Sequence, residues 1–536
     1  MSRAFLGVAV AALLVAAVLP ATAGARAHHA QQPGSGNLTF GLEAETTDYC
    51  LPRAQLAISG IQVVGAIYDT LTVPNSKGEI VPYLAKSVEP DSTFTTWTIT
   101  LRPGITFHDG TALDADAVKL NLDSYRGAPG APNSGDLFLF YFNFIEDVQV
   151  VDPMTVKVVL KTPITDFPTY LFAEGRLGIV APAQLNAGED CSTKLIGTGP
   201  FELSEYKQNE RTVVTRNPSY WQKGYPKAGR ITFVPVPENS ARVIRLQGGQ
   251  VDIMHTDNGV ATDTLRGLGK QVKRLTQKPG FREIHYYFLL SGNAPFDDPS
   301  ARKAFALAID RAKIAQIRTK GVFQVASSLM DRGAPGYLAN AGYPKHDVKK
   351  ARQLADEYKA AHGGTFRVIL GGTQDQESSN EMQLVKEELA AAGIDAEIAL
   401  FDQATQINKA LSGDISVLDW RNLHGCCAES SDESTYIWFA NYDTGNLVNF
   451  GHFSDPATQA PLDEGRGLTD KSAITKNYQA FNRAMAKQGY LLPMWYVDWT
   501  IGYAPNVKLT FPPLPDGNGT PLFVYGRIPV LGLSTT

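Results

Sequence analysis

Phe366-Arg367-Val368-Ile369-Leu370-Gly371-Gly372 reads as a strand running into a turn, Asn380 to Ala392 keeps a helical pattern, and Ile394 to Leu400 returns as a strand. Strand, helix and strand at these lengths form a β-α-β unit, so this part of the chain is α/β. The glycine pair lacks the remaining glycines of a dinucleotide loop. So does Gly197-Thr198-Gly199, which Pro200-Phe201 follows, and both are assigned to turns.

Upstream, Asp298 is placed to cap a helix with Pro299 at its first position, and Ala301, Phe305, Ala308, Ile309 and Ala312 predict one apolar face. Nearer the start, Leu38 to Phe40 reads as a strand, and Trp97 to Arg102 alternates as a strand before the Pro103-Gly104 turn. Asp114 is a candidate cap for a helix with Val118, Leu122 and Tyr125 on one face. Val148 and Val150, then Asp152-Pro153, then Val156, Val158 and Leu160 predict a hairpin.

With 536 residues, 43% of them hydrophobic and 19% charged, the chain exceeds what one core organises, and two or more lobes are expected. A net charge of -5 without a basic cluster argues against a nucleic-acid partner. Arg3, the uncharged apolar run from Phe5 to Leu19, Pro20 and the small-residue sites Ala21-Thr22-Ala23 and Ala25-Arg26-Ala27 predict a cleaved signal peptide over residues 1–27, hence export. The first cysteine is Cys50, so no lipidated cysteine follows the apolar run directly. Cys50 with Cys191 is the candidate disulfide. The adjacent Cys426 and Cys427 form either a vicinal disulfide or two free thiols. His424 with Cys426 and Cys427 lacks the paired spacing of a zinc site, and no metal is assigned. The sequence holds no nucleophile elbow, zinc-protease helix or phosphate-binding loop, so no catalytic residue and no cofactor are assigned.

Successive segments carry a resemblance. They are Ile67-Tyr68-Asp69-Thr70-Leu71, Pro82-Tyr83-Leu84-Ala85, Leu101 to Thr111 with Asp116-Ala117-Val118, Ile196 to Phe201, Arg216 to Trp221, Leu246 to Ile253, Pro295 to Asp298 with Arg302 to Arg311, and Leu492-Pro493-Met494. In this order they resemble the family of peptide-, nickel- and related solute-binding proteins, over nearly the whole mature chain. The resemblance implies an α/β, bilobal, periplasmic-binding-protein-like fold (type II, cluster C) with an extra inserted subdomain. Lobe 1 would comprise 28–75, 189–284 and 500–536, the insert 76–188, and lobe 2 285–499. It implies the substrate-binding component of an ABC importer, periplasmic or attached to the cell surface. Such a component is expected as a monomer that passes a small solute to the permease and ATPase. A short peptide leads on family frequency. Other readings are a sensor or a binder of a sugar, opine, metal chelate or haem on the same fold, or an exported metal-dependent hydrolase using His424 and the cysteines.

In peptide-binding relatives an Asp shortly after a Trp holds the peptide's ammonium group. Here Trp420 is followed by Arg421-Asn422-Leu423-His424, and the acidic pair Asp432-Glu433 comes later. Arg421 is then a candidate for a ligand carboxylate or phosphate, with Trp420 offering a stacking face. The alternative makes Arg421 a structural ion-pair partner and Trp420 core. The family pattern also places Glu43, Glu45 and Thr46 at the cleft from lobe 1. From lobe 2, Asn422 and His424 are further candidates, and Asn446 and Asn449 offer adaptable amides, although loop asparagines often merely satisfy turns.

Overall fold

The computed structural model describes residues 36–536 except 47, 55, 133–135, 188–193, 423–431 and 524. The expected signal peptide, Cys191, His424, Cys426 and Cys427 therefore lie outside the described residues.

Two sheets organise the chain into a bilobal α/β protein. The first has seven strands in the order Lys273–Thr276, Thr500–Tyr503, Ile253–Thr256, Asn37–Leu42, Arg230–Pro235, Arg211–Arg216 and Phe201–Lys207. Asn37–Leu42 runs parallel to both its neighbours, with Phe40 opposite Phe233 on one side and Ile253 on the other. The second has five strands, Asp395–Phe401, Arg367–Thr373, Val417–Asn422, Glu283–Leu289 and Leu491–Val497. Its first three are parallel, and Glu283–Leu289 runs antiparallel to both of its neighbours. Leu491–Val497 is an edge strand buried along its whole length. Its outer edge is covered by residues 324–326, since the Ala326 amide donates to the Met494 carbonyl at 3.1 Å and the Tyr496 amide to the Gln324 carbonyl at 2.9 Å. Between strands of the first sheet the sequence inserts an antiparallel sheet of Ala85–Pro90, Thr96–Leu101, Thr155–Leu160 and Ile145–Asp152. There Trp97, Ile99 and Leu101 alternate inward, as expected of a strand with one buried face.

Short local signals set the helices. Asp114 Oδ1 accepts from the Ala117 amide at 2.9 Å and starts the helix Ala115–Tyr125. Asp298 does the same for Pro299–Ala308 through the Ser300 amide at 2.7 Å. Two expectations are corrected. The helix after Asp298 does not reach Ala312. It stops at Ile309, whose backbone is extended, and Asp310 caps a new helix, Arg311–Thr319, through the Lys313 amide at 3.0 Å. Gly371 and Gly372 are strand, not turn. A Cβ on Gly371 would meet Ile415 Cγ2 at 2.6 Å and one on Gly372 would meet Ser378 Oγ at 2.4 Å, so glycine here lets neighbouring side chains close on the strand.

The chain passes between the two large sheets twice, at residues 277–282 and 498–499. The crossings are tied together: the Gln277 amide donates to the Trp499 carbonyl at 2.8 Å, and Arg282 Nη1 lies 3.4 Å from Asp498. Arg282 is also gripped by Asp331 through Nε at 3.0 Å and Nη2 at 2.7 Å. Away from the crossings the lobes meet where the helix Gly259–Gly267 abuts Thr319. A Cβ on Gly259 would stand 2.5 Å from Thr319 Cα and 2.8 Å from its carbonyl oxygen. Among the described residues no helix is long and apolar enough to cross a membrane.

Gly259→Val therefore wedges the lobes apart at a contact only glycine permits. Small-angle scattering is expected to give a larger radius of gyration for the variant than for the parent, with the circular dichroism of the folded chain retained. An unchanged radius would show that this contact does not limit closure.

Candidate functional site

Parallel strands aligned in one sheet end at a common edge, and ligands of α/β proteins sit in the crevice beyond those carboxyl ends. Both large sheets aim such ends at one cavity of about 610 Å³. From the seven-stranded sheet, Asn37–Leu42 delivers Glu43, Arg230–Pro235 delivers Pro235 and Pro237, and Ile253–Thr256 delivers Asp257. From the five-stranded sheet, Arg367–Thr373 delivers Gln374 and Asp375, Asp395–Phe401 delivers Asp402, and Val417–Asn422 delivers Trp420 and Arg421.

Arg421 links the two sets. Its Nη2 is bonded to Glu43 Oε1 and its Nη1 to Asp257 Oδ2, both from the other lobe, while its Nε stands 3.7 Å from Glu283 Oε2. The guanidinium also lies over the Trp499 ring, 4.8 Å from the centroid. Trp499, fully buried, donates its indole N–H to Glu283 Oε2. Burial works against charge on all of these groups, and the local balance differs for each. The Glu43 carboxyl is pushed up by burial in spite of Arg421. Burial would also raise Asp257, but Arg421 and then Arg242 outweigh it and hold it below the usual range. Glu283 is pushed up to about 7 by burial, against the pull of Arg421. The three surrounding carboxylates keep Arg421 protonated despite its burial.

Behind Glu43, His255 is wholly buried. The Glu43 amide donates to its Nε2 at 3.0 Å, so its Nδ1 carries the proton toward the Gly526 carbonyl at 3.3 Å. Burial, reinforced by Arg242, lowers its pKa to about 3 and keeps the ring neutral. Arg242 is itself committed to the carbonyls of Val236, Pro237 and His255 and to Asn239. It pins the strand ends that bear Pro237 and Asp257.

The wall of the second lobe has a charged part and an aromatic part. His285 Nε2 lies 3.0 Å from Glu381 and 3.2 Å from Asp419, Arg318 Nε donates to Glu381 at 2.9 Å, and Tyr287 donates to Glu381 at 2.6 Å. Burial disfavours the imidazolium, but Glu381 and Asp419 hold its proton and raise its pKa, while burial pushes Asp419 up to about 7. The donor atoms of His285, Glu381 and Asp419 lie within 4.8 Å of one another, the spacing of a metal site. Here Arg318 and the shared proton already neutralise the carboxylates, so the set is complete as an ion-pair network. Beside it, His285 stacks on Trp495 at 4.0 Å, and Trp420 meets Phe450 edge-on at 5.0 Å.

Of the residues singled out from sequence, Glu43, Glu45, Thr46, Trp420 and Arg421 line this one cavity. Glu45 accepts a hydrogen bond from the Asn209 amide. Asn446 and Asn449 do not line it. Both are fully buried and hold their own loop, Asn446 through the carbonyls of Ile437 and Ala440, Asn449 through those of Ala440 and Phe453. The Asn422, Asp432 and Glu433 side chains and all of His424 lie outside the described residues. Asp257, Glu283, His285, Arg318 and Glu377 were not read from sequence. A carboxylate directly after a buried strand, or at the start of one, was the available signal for Asp257 and Glu283.

Residues 79–446 match the family model described as bacterial extracellular solute-binding proteins, family 5 middle, and the chain belongs to that family. The glutathione-binding protein GsiB of Escherichia coli K12 is 28% identical over 438 residues, covering 81% of this chain and 83% of that protein. The PBP AgaA from A. tumefaciens R10, solved with agropinic acid, superposes with a TM-score of 0.82 at 26% identity, over 94% of this chain and 99% of that one. The dipeptide-binding protein of Pseudoalteromonas sp. SM9913, solved with Met-Leu, shares the fold with a TM-score of 0.82 at 17% identity, over 94% of this chain and all of that one. This chain is thus an extracellular solute-binding protein of the kind that serves ABC importers, and the relatives named are binding proteins.

Removing Arg421 leaves Glu43, Asp257 and Glu283 facing one another without the guanidinium that they share. Arg421→Gln is expected to cost about 3–5 kcal/mol in urea unfolding, the scale of breaking a buried ion pair, and adding Glu43→Gln to it is expected to recover part of the loss. A single variant as stable as the parent would refute the clamp. Because the pKa of Glu283 in the fold is raised from 4.5 to about 7, its contribution to stability is fully present below about 4.5 and is lost as pH rises through about 7. Glu283→Gln should therefore gain melting temperature relative to the parent between pH 5 and pH 8; a pH-independent difference counts against the shift.

Proposed function

We propose that this chain captures a short peptide between its lobes and presents it, lobes closed, to an ABC permease and ATPase. The observation that carries the reading is the cavity itself: carboxyl ends of parallel strands from two lobes converge on a space within the ~300–1,000 Å³ typical of ligand sites, next to an aromatic wall. Trp420 supplies a stacking face, and Glu45 and Thr46 face the solute from the opposite lobe. Binding acts as a population shift. A solute touching Trp420 and Glu45 together favours the closed state by whatever contact it makes only there.

The reading extends to the rest of the chain. Residues 1–27 direct export and are then removed, and the protein works as a monomer. Lobe 1 takes 28–75, 189–284 and 500–536, with the insert at 76–188, and lobe 2 takes 285–499. Cys50 pairs with Cys191, which is supported by the full burial of Cys50 and by the absence of a free thiol among the described residues. Cys426 and Cys427 pair with each other or stay reduced, which alkylation with and without reductant distinguishes by mass.

Native mass spectrometry of freshly purified protein, with denaturing release of any bound solute, tests the ligand class: an adduct of peptide mass is expected, and a sugar or metal chelate in its place would overturn it. For the peptide so identified, Trp420→Ala is expected to weaken binding by about tenfold or more through lost stacking and burial. Unchanged affinity in calorimetry would remove Trp420 from the site.

A further inference from the structure

Nine carboxylates, four guanidiniums, one imidazole and no lysine line the cavity among the described residues. Each guanidinium is already committed. Arg421 holds its three carboxylates, and Arg242 holds backbone carbonyls and Asn239. Arg176 donates to Glu174 and to the Leu56 carbonyl at 3.1 Å. Arg318 gives its Nε to Glu381 and stands in the field of Asp419 and Glu377 as well. Asp375 and Asp402 cap their own helices, through the Ser378 amide at 2.9 Å and the Thr405 amide at 3.0 Å. The two helix N-termini at this wall therefore already carry an anion each, and neither is left for one on a solute.

Glu377 remains. It lies in the first turn of the helix Gln376–Ala391, and its Oε2 is buried in the cavity wall with no hydrogen-bond partner. A buried carboxylate oxygen without a donor costs free energy until one arrives. Arg318 is near enough to be felt by Glu377 yet forms no ion pair with it.

We propose that this cavity selects a solute of net positive charge, with Glu377 as the counter-charge that receives its ammonium or guanidinium group. The inference rests on the peptide reading above and narrows it to basic peptides. A concave site whose walls carry a net excess of one sign of charge focuses the potential on the solute, and the carboxylates here outnumber the cationic groups. The physical consequence is a ranking by charge at constant size.

Calorimetry on the mature chain with Ala-Lys-Ala, Ala-Gln-Ala and Ala-Glu-Ala tests it. Ala-Lys-Ala is expected to bind about tenfold or more tighter than Ala-Glu-Ala at low salt, with the gap narrowing as sodium chloride is raised. Glu377→Gln should shrink that ratio by about fivefold. Equal or reversed ranking overturns the charge selection, and a ratio untouched by Glu377→Gln overturns the role of that residue. If no tripeptide binds, the peptide reading falls alone, and agmatine and putrescine are then compared with succinate and glutarate. Binding of the amines upholds the selection, whereas binding of the diacids, or silence from all four, overturns it.

Discussion

A guanidinium from one lobe, bonded to two carboxylates of the other and set over a buried indole, is the interaction on which the rest of this molecule depends. Taking Arg421, Glu43, Asp257 and Glu283 out of water is costly, and the cost is offset only because each meets a charge of opposite sign or a hydrogen bond at close range. Such an arrangement holds when the strand ends that carry it are fixed. Arg242 and His255 do that from behind by tying down backbone carbonyls and the Glu43 amide. The aromatic wall, the His285 proton held by Glu381 and Asp419 and the unpartnered Oε2 of Glu377 then occupy what the clamp leaves open.

The clamp also explains how closure can be both firm and reversible. The lobes are joined covalently at two crossings that are themselves hydrogen-bonded, and they touch again at Gly259 against Thr319. Between these points lies the charge cluster, whose strength depends on the protonation of Glu283, whereas the contact at Gly259 is purely steric. Electrostatic and steric limits on the same motion thus sit at different places in the fold.

Much of the architecture was legible from local signals. The alternation of Trp97, Ile99 and Leu101, the aspartate caps at 114 and 298, and the β-α-β pattern after Phe366 each report a short-range constraint, and each appears where expected. The errors were equally physical. Ile309 breaks a helix whose apolar face continues through Ala312, so periodicity alone could not see the break, and Gly371-Gly372 owes its glycines to side chains 44 and 6 positions further on, Ile415 and Ser378, rather than to a turn. At the site the same division holds. Trp420 and Glu45 could be named because they resemble family positions, but the partners of Arg421 lie 164 and 378 residues away, and nothing local to position 421 reveals that its charge is already matched. Asn446 and Asn449 look in sequence like adaptable polar groups. Only the fold reveals that their amides bond to the carbonyls of their own loop.

The strand Thr500–Tyr503, close to the end of the chain, does not sit at the margin of its sheet but inside it, paired on one side with Ile253–Thr256 and on the other with Lys273–Thr276. A chain made from its N-terminus leaves a vacant slot at that place until almost all of it exists. The five-stranded sheet, drawn from one continuous stretch, adds its late strand Leu491–Val497 at an edge and leaves no such slot in its interior. Native structure in the lobe that begins the protein thus depends on the arrival of this late strand, and a chain truncated before residue 500 would carry two strands with bare edges where an interior sheet belongs.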